Sequence, residues 1–506
     1  MPQNEFHNPF VIPSWLINGS VIVLGGICAI YLGAYLAPLD WIGGYFLIVA
    51  IICTYCIVSN NFPLLLAIAV WAPLTFPVPF FRNFPTIGLV WMWFVVAIFF
   101  RVCVTKSLSY IPSCNKLLFL CFLWVPIRFM INPVHKLGGS VLGGKGVSGA
   151  NAYFLYALAG VIVITLGCIL NTREKVLSTL RSAFRVAWVL GSILIVCAFI
   201  PSTQAGLNMI GITAYSSGSF LRIIAFPVFG MLLVGAALCR NLFRIHFLTA
   251  AVVFTLGMGM IILSGDRGGA VAVLLFAPVV LLTQKKFLSL FAFVFLSVIS
   301  ILALHQASNL MDLSGIPGLG RIAGLLDTKT EAITGGDASA QWRYDVWQKG
   351  VSLVMQAPLI GKGYGNLPMQ LNPDETDIFS SDNYEGALAA GMAHNGYISA
   401  AYGFGIPFMV GLTVALIYRM FRHMIIGMRI HRKDLVLCQF HSLIAGYIAS
   451  FGLALYAYAD MSFAMIWFIV GLGIVMENVT NVSKEALPVP APSSNKPPGM
   501  LVPSLT

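Results

Sequence analysis

Charge is what this sequence has least of. Only 9% of its 506 residues are Asp, Glu, Lys or Arg, while 58% are hydrophobic, against roughly 25% and ~45–50% in ordinary soluble domains. That balance excludes a secreted enzyme, a nucleic-acid binder and a disordered scaffold, and leaves an integral membrane protein. Acidic residues are scarcer than basic ones, 18 against 29, for a net charge of +11. The excess lies mostly in short connections between apolar runs, where it sets membrane orientation rather than binding nucleic acid. Cysteine is sparse too. The ten cysteines lie within or beside apolar runs and none falls between residues 305 and 392, so no disulfide framework is expected. Cys53 and Cys56 have redox spacing but no acid, base or βα setting around them, and read as small packing residues. No Lys or Arg precedes the first apolar run, which argues against a cleaved signal peptide. Internal repeats, inverted two-half symmetry, a catalytic triad and a paired-histidine metal motif are also missing.

Long hydrophobic runs are what is there. They fall at 16–37, 41–58, 62–80, 86–104, 117–131, 151–170, 187–201, 220–239, 247–264, 268–283, 288–304, 393–418, 435–456 and 460–477. At about 20 residues per crossing this predicts an all-α, polytopic membrane bundle of about 12–14 transmembrane helices, the lower figure allowing for spans interrupted by Pro63, Pro73, Pro126 or Pro227. Lys and Arg collect in every second connection: Lys106 and Lys116; Arg173 to Arg185; Arg240 and Arg244; Lys285 and Lys286; Arg419 to Lys433. The positive-inside rule makes these cytoplasmic, with both termini. Residues 132–150, 202–219, the link 265–267 and the long segment 305–392 are then external. The long segment carries ten acidic and five basic residues, a bias no cytoplasmic connection shows. Residues 1–477 form one membrane-embedded domain with this external loop inserted, and the proline-rich stretch 478–506 reads as a disordered cytoplasmic tail.

Within the external segment, SAQWRYDVWQKGVSLVMQAP reads as a helix lying along the membrane surface. Ser339 caps its start, Trp342, Val346 and Leu353 share a face, and Pro358 marks its end. LIGKGYGN then forms a tight turn back towards the bilayer; its glycines lack the spacing and the strand–helix setting of a dinucleotide site. In AHNGYISAAYGFGIPF, His394 stands where the chain re-enters the membrane, with Asn395 as a helix cap. Arg222 in SSGSFLRIIAF and Arg267 in SGDRGG share that depth. Arginine near hydrocarbon costs a few kcal/mol unless paired, so each needs a reason. Asp266 is one partner for Arg267. An anionic ligand is another, because guanidinium matches phosphate oxygens bidentately and Gly268 and Gly269 let helix-start N–H groups approach the same anion. Arg222, Arg267 and Arg343 with His394 therefore form a coherent set, cations for a lipid diphosphate and a base for an acceptor hydroxyl. The acidic run 372–386 has oxygen ligands enough for a divalent ion but no ligand-loop order, so it reads as a solvated loop; no metal and no cofactor is expected.

The succession of SGDRGG, a long external segment with RYDVWQKG and APLIGKGYGN, and AHNGY opening a helix resembles the O-antigen ligase and polysaccharide polymerase superfamily over residues 205–470. That resemblance implies a multi-pass enzyme of the bacterial cytoplasmic (inner) membrane, serving cell-envelope polysaccharide and lipopolysaccharide biosynthesis. It implies metal-independent, inverting transfer of an undecaprenyl-diphosphate-linked glycan to a saccharide or lipid A-core acceptor at the periplasmic face. His394 would be the base, and Arg222, Arg267 and Arg343 would bind the donor diphosphate. The family more often has serine directly before the turn arginine, where this chain has Asp266. A transporter or flippase for a lipid-linked substrate is the alternative, and it requires charges deep in the membrane; Arg128, Asp460 and Glu477 all lie near the ends of their runs.

Overall fold

The computed structural model describes residues 75–78, 81–85, 112–131, 149–209, 214–217, 220–223, 225–265, 267–310, 336–364, 393–457 and 463–485, with isolated positions between them. The expected spans 16–37 and 41–58 and the acidic residues between 374 and 385 lie outside the described residues, as do most of 62–80 and 86–104 and everything after 485. The run 62–80 does not stay helical to its end. Thr75–Val78 (β1) and Phe81–Pro85 (β2) form an antiparallel hairpin, because Pro73, Pro77 and Pro79 deny the backbone N–H groups a helix would need.

Helices α1 (Lys116–Ile131), α2 (Gly149–Ile169) and α3 (Arg173–Ala198) follow. After the short α4 (Gln204–Met209) comes a hairpin of β3 (Ala214–Ser217) and β4 (Phe220–Ile223). Then come α5 (Phe226–Leu238), the single turn α6 (Arg240–Phe243), α7 (Phe247–Leu263), α8 (Arg267–Thr283) and α9 (Phe287–Leu310). The polar segment supplies α10 (Gly336–Val354), and the chain ends with α11 (Gly396–Phe404), α12 (Ile406–Ile430), α13 (Leu435–Ala457) and α14 (Ala464–Glu485). Among the described residues, α2, α3, α9, α12, α13 and α14 are long and apolar enough to cross a membrane, and α5, α7 and α8 are shorter apolar helices. The protein is an all-α polytopic membrane bundle.

Several boundaries differ from the hydropathy reading. The span placed at 187–201 begins at Arg173, so its basic residues occupy helical turns rather than a loop; Thr172 caps it by accepting from the Lys175 N–H, and Glu174 lies in the first turn. The run 220–239 opens as a strand and becomes helical only at Phe226. The run 393–418 is broken at Gly405, whose φ of +93° is open to glycine; a Cβ there would collide with the Leu359 carbonyl. Helix α10 starts at Gly336 and ends at Val354, so Ser339 and Pro358 mark neither end.

Past that break, α12 continues to Ile430 and carries buried Arg419 and His423 with half-exposed Arg422. The two arginines were expected to mark a loop. Instead Arg419 and Arg422 share one carboxylate oxygen of Glu477 on α14, at 3.2 and 2.7 Å. His423 lies 3.4 Å from the other oxygen and 2.9 Å from His441 of α13. The side chains of Arg419 and Glu477 are 7% and 4% exposed, so the carboxylate ties α14 to α12 in a buried setting, and His423 extends the link to α13 through His441. Removing one partner of a buried ion pair strands the other charge. Glu477→Ala should therefore lower unfolding stability by about 3 kcal/mol, and the double variant with Arg419→Met should regain part of the loss. Thermal unfolding in detergent measures both; a single variant as stable as the parent would remove the cluster's structural role.

Candidate active site

Helix directions fix which residues share an end of the bundle. Thr283 packs against Gly427 and Val280 against Gly446, while Phe276 meets Tyr447 edge-on. Helices α8 and α13 are therefore antiparallel, and the start of α8 lies level with the end of α13. The end of α13 is where His394 sits.

His394 precedes the cap of α11. The Asn395 carboxamide oxygen accepts from the Tyr397 and Ile398 N–H groups, both at 3.1 Å, and its amide donates to the Tyr456 carbonyl at 3.2 Å. One polar side chain thus starts α11 and anchors it to the end of α13. His394 itself has φ +48°, a left-handed conformation uncommon outside glycine, asparagine, aspartate and histidine. Such strain persists only where the surroundings enforce it. The enforcement comes from α10: Trp347 Nε1 donates to the Ala393 carbonyl at 3.0 Å, and its ring packs 5.4 Å from that of Tyr456. Val346 and Leu353 are buried, and a Cβ on Gly350 would lie 2.6 Å from Ile398, so α10 lies tightly on α11 instead of merely resting on a membrane surface. Trp342 meets the His394 imidazole edge-on at 5.8 Å.

This docking places Arg343, next to Trp342 on α10, where its charge acts on His394. Partial burial, and then the Arg343 charge, hold the imidazole below the ordinary histidine pKa, because both disfavour the protonated ring. Both favour the neutral ring, the form a general base needs.

Arg222 lies on β4 rather than at the end of a membrane span. Buried Leu221 and Ile223 flank it, the alternation a strand imposes, and Arg222 faces the other way. Its Nε donates to the Ser264 carbonyl at 2.6 Å, at the turn between α7 and α8. Gly265, with φ +58°, makes that reversal possible. Asn208 pins the hairpin by accepting from the Ala214 N–H at 2.8 Å. Arg267 opens α8; its side chain and Asp266 lie outside the described residues. The structure thus packs the helix that carries Arg343 against His394 and joins Arg222 to the turn before Arg267, both at one end of the bundle.

Two contributors escaped the sequence reading. Tyr456 has no local signature and is found only through its contacts. Arg128 was counted as a charge near a helix end, yet it is 2% exposed and clamps the segment after α10, with Nε to the Ile360 carbonyl at 2.7 Å and Nη2 to that of Gly361 at 2.9 Å. Among the described residues no group of His, Cys, Asp and Glu is placed to hold a metal ion.

Replacing Arg343 with glutamine removes a positive charge beside the imidazole. The His394 pKa should then rise towards the ordinary histidine value, and a ring-resolved NMR titration of the detergent-solubilised protein should show its midpoint moving to higher pH. A midpoint that stays put or falls would mean that the guanidinium does not act on the ring.

Residues 250–413 match the O-antigen ligase family, a stretch that holds the Ser264–Arg267 turn, Arg343 and His394 but not Arg222. No curated protein and no solved structure matches the chain. With the helical membrane bundle around it, this match makes the segment from the Ser264–Arg267 turn to His394 similar to the O-antigen ligase family.

Proposed function

We propose that the protein transfers a glycan from undecaprenyl diphosphate to a saccharide acceptor, with His394 as general base and Arg222, Arg267 and Arg343 holding the donor diphosphate. The observation that carries this reading is the left-handed His394, packed by Trp342 and Trp347 of the helix that carries Arg343, at the bundle end that also holds Arg222 and the start of α8. The acceptor hydroxyl attacks the anomeric carbon, and His394 takes its proton as the new C–O bond forms. The bond between that carbon and the diphosphate oxygen breaks, and the electron pair leaves with undecaprenyl diphosphate. Fixed guanidinium groups stabilise the charge developing on that oxygen, so the leaving group needs no acid. Attack from the face opposite the diphosphate inverts the anomeric centre without a metal.

The positive-inside pattern supports a periplasmic site in the inner membrane, with both termini cytoplasmic. A saccharide or lipid A-core acceptor makes the protein a ligase, and a second lipid-linked repeat makes it a polymerase. Among the described residues, the buried ion cluster around Glu477 favours a flippase, since intramembrane charge commonly marks a transport path. Its charges are bound to one another across helices, away from the end that carries His394, so it favours that reading weakly.

His394→Ala, reconstituted in liposomes with an undecaprenyl-diphosphate-linked glycan and acceptor, should lose at least about 10²-fold in transfer rate while still binding donor. Transfer at the parental rate would remove the proposed base. In cells, loss of the protein should leave lipid-linked glycan on the external leaflet; glycan trapped on the inner leaflet would establish the flippase reading instead.

A further inference from the structure

The ion cluster around Glu477 does not balance. Two guanidinium groups, those of Arg419 and Arg422, meet one carboxylate, and among the described residues neither arginine pairs with a second acid. One positive charge is left over. Arg419 is buried, whereas the Arg422 side chain is 41% exposed, so the surplus reaches the surface at Arg422. Its Nε donates to Glu477 at 2.7 Å and its Nη1 to the Tyr418 hydroxyl at 2.8 Å; Nη2 makes no hydrogen bond among the described residues. The Tyr418 ring faces both guanidinium groups, at 5.6 and 5.9 Å, which helps to fix the direction of the Arg422 fork.

What surrounds that fork is apolar. Phe421 and Ile425 flank Arg422 on α12 and are exposed. Val410, Val414 and Tyr418 precede it at four-residue spacing, hence on one face, and are 45%, 50% and 50% exposed. From Arg422 to Val410 this strip is about 18 Å long at 1.5 Å per helical residue, close to the ~15 Å hydrocarbon depth of one leaflet. Thr283, at the end of α8, packs on Gly427, so the cation stands at the end of the bundle opposite His394 and the strip runs from it into the bilayer.

We infer that Arg422 and this strip bind one anionic glycerophospholipid, its phosphodiester on the Nη2 side of the guanidinium and an acyl chain along Tyr418, Val414 and Val410. The charge count selects an anionic headgroup. It neutralises the cation that Glu477 leaves over, where an uncompensated arginine against hydrocarbon costs a few kcal/mol. A planar fork already held by Glu477 and Tyr418 meets phosphate oxygens with little further ordering. A zwitterionic lipid brings its own ammonium, and free phosphate has no chain for the strip. The site is separate from the glycan chemistry proposed above, and neither depends on the other.

Native mass spectrometry of the full-length protein, titrated with phosphatidylglycerol and with phosphatidylethanolamine of the same acyl chains, reads the site. Phosphatidylglycerol should bind about tenfold more tightly. Arg422→Gln should abolish that preference. Tyr418→Phe, which frees the fork but spares the ion pair with Glu477, should reduce it about threefold. Arg240→Gln, which removes an exposed cation on α6, should leave it unchanged, and millimolar inorganic phosphate should not displace the lipid. Equal binding of the two lipids to the parent means an annular lipid only and overturns the inference. A parental preference in Arg422→Gln does the same, as does an equal loss in Arg240→Gln, which means diffuse attraction by surface charge, or displacement by phosphate, which means a soluble-anion site. If Arg422→Gln does not fold, Tyr418→Phe decides alone, and a parental preference there overturns the site.

Discussion

In hydrocarbon every backbone N–H and C=O must find a partner within the protein, and the break between α11 and α12 is where that demand shapes the molecule most. Ending one helix and starting another at Gly405 frees carbonyls and amides at bilayer depth. Several receive a specific partner. Trp124 donates to the Phe404 carbonyl, the Ile406 N–H donates to that of Pro358, and the Gly363 N–H donates to that of Tyr402. Arg128 satisfies the carbonyls of Ile360 and Gly361. The chain that returns from α10 is thereby stitched along α11. Since α10 carries Arg343 and α11 follows His394, the same stitches hold the helix of the cation against the turn of the imidazole. Irregular backbone in a membrane is tolerated where it is buried in protein or lines a cavity, and here it supports the candidate site.

The architecture was largely legible because hydropathy and charge act over whole helices. Runs such as 151–170, 268–283 and 435–456 correspond closely to α2, α8 and α13. Boundaries failed where a polar sequence is helical for reasons that hydropathy cannot register. Arg173 to Arg185 lie in an amphipathic stretch with its own cap, and Arg419 to Arg429 continue α12, where Glu477, more than fifty residues on, pairs with the first two. A carboxylate that far along the chain leaves no local trace. The break at Gly405 is visible only as a glycine before Ile-Pro, a pattern that also occurs inside continuous spans.

The candidate site was legible in residue type and order rather than in geometry. Asn395 as a cap and the shared face of Val346 and Leu353 follow from helical spacing. Placing Arg222 on a strand does not, because its apolar neighbours fit a helix equally well over four residues. Trp342 and Trp347 were readable as amphipathic anchors. Their actual partners, His394 and the Ala393 carbonyl, belong to a segment some fifty residues later and emerge only from the fold.

The left-handed backbone at His394 restricts which side chains that position admits independently of any chemistry. Glycine and asparagine keep the turn into α11 at little cost, whereas valine, isoleucine or threonine would push the residue out of that conformation and loosen the Trp347 bond to Ala393. Sequence drift at 394 is therefore channelled towards replacements that preserve the scaffold while erasing the imidazole. A copy of this chain that had lost its activity would fold as before and remain hard to tell from an active one by shape alone.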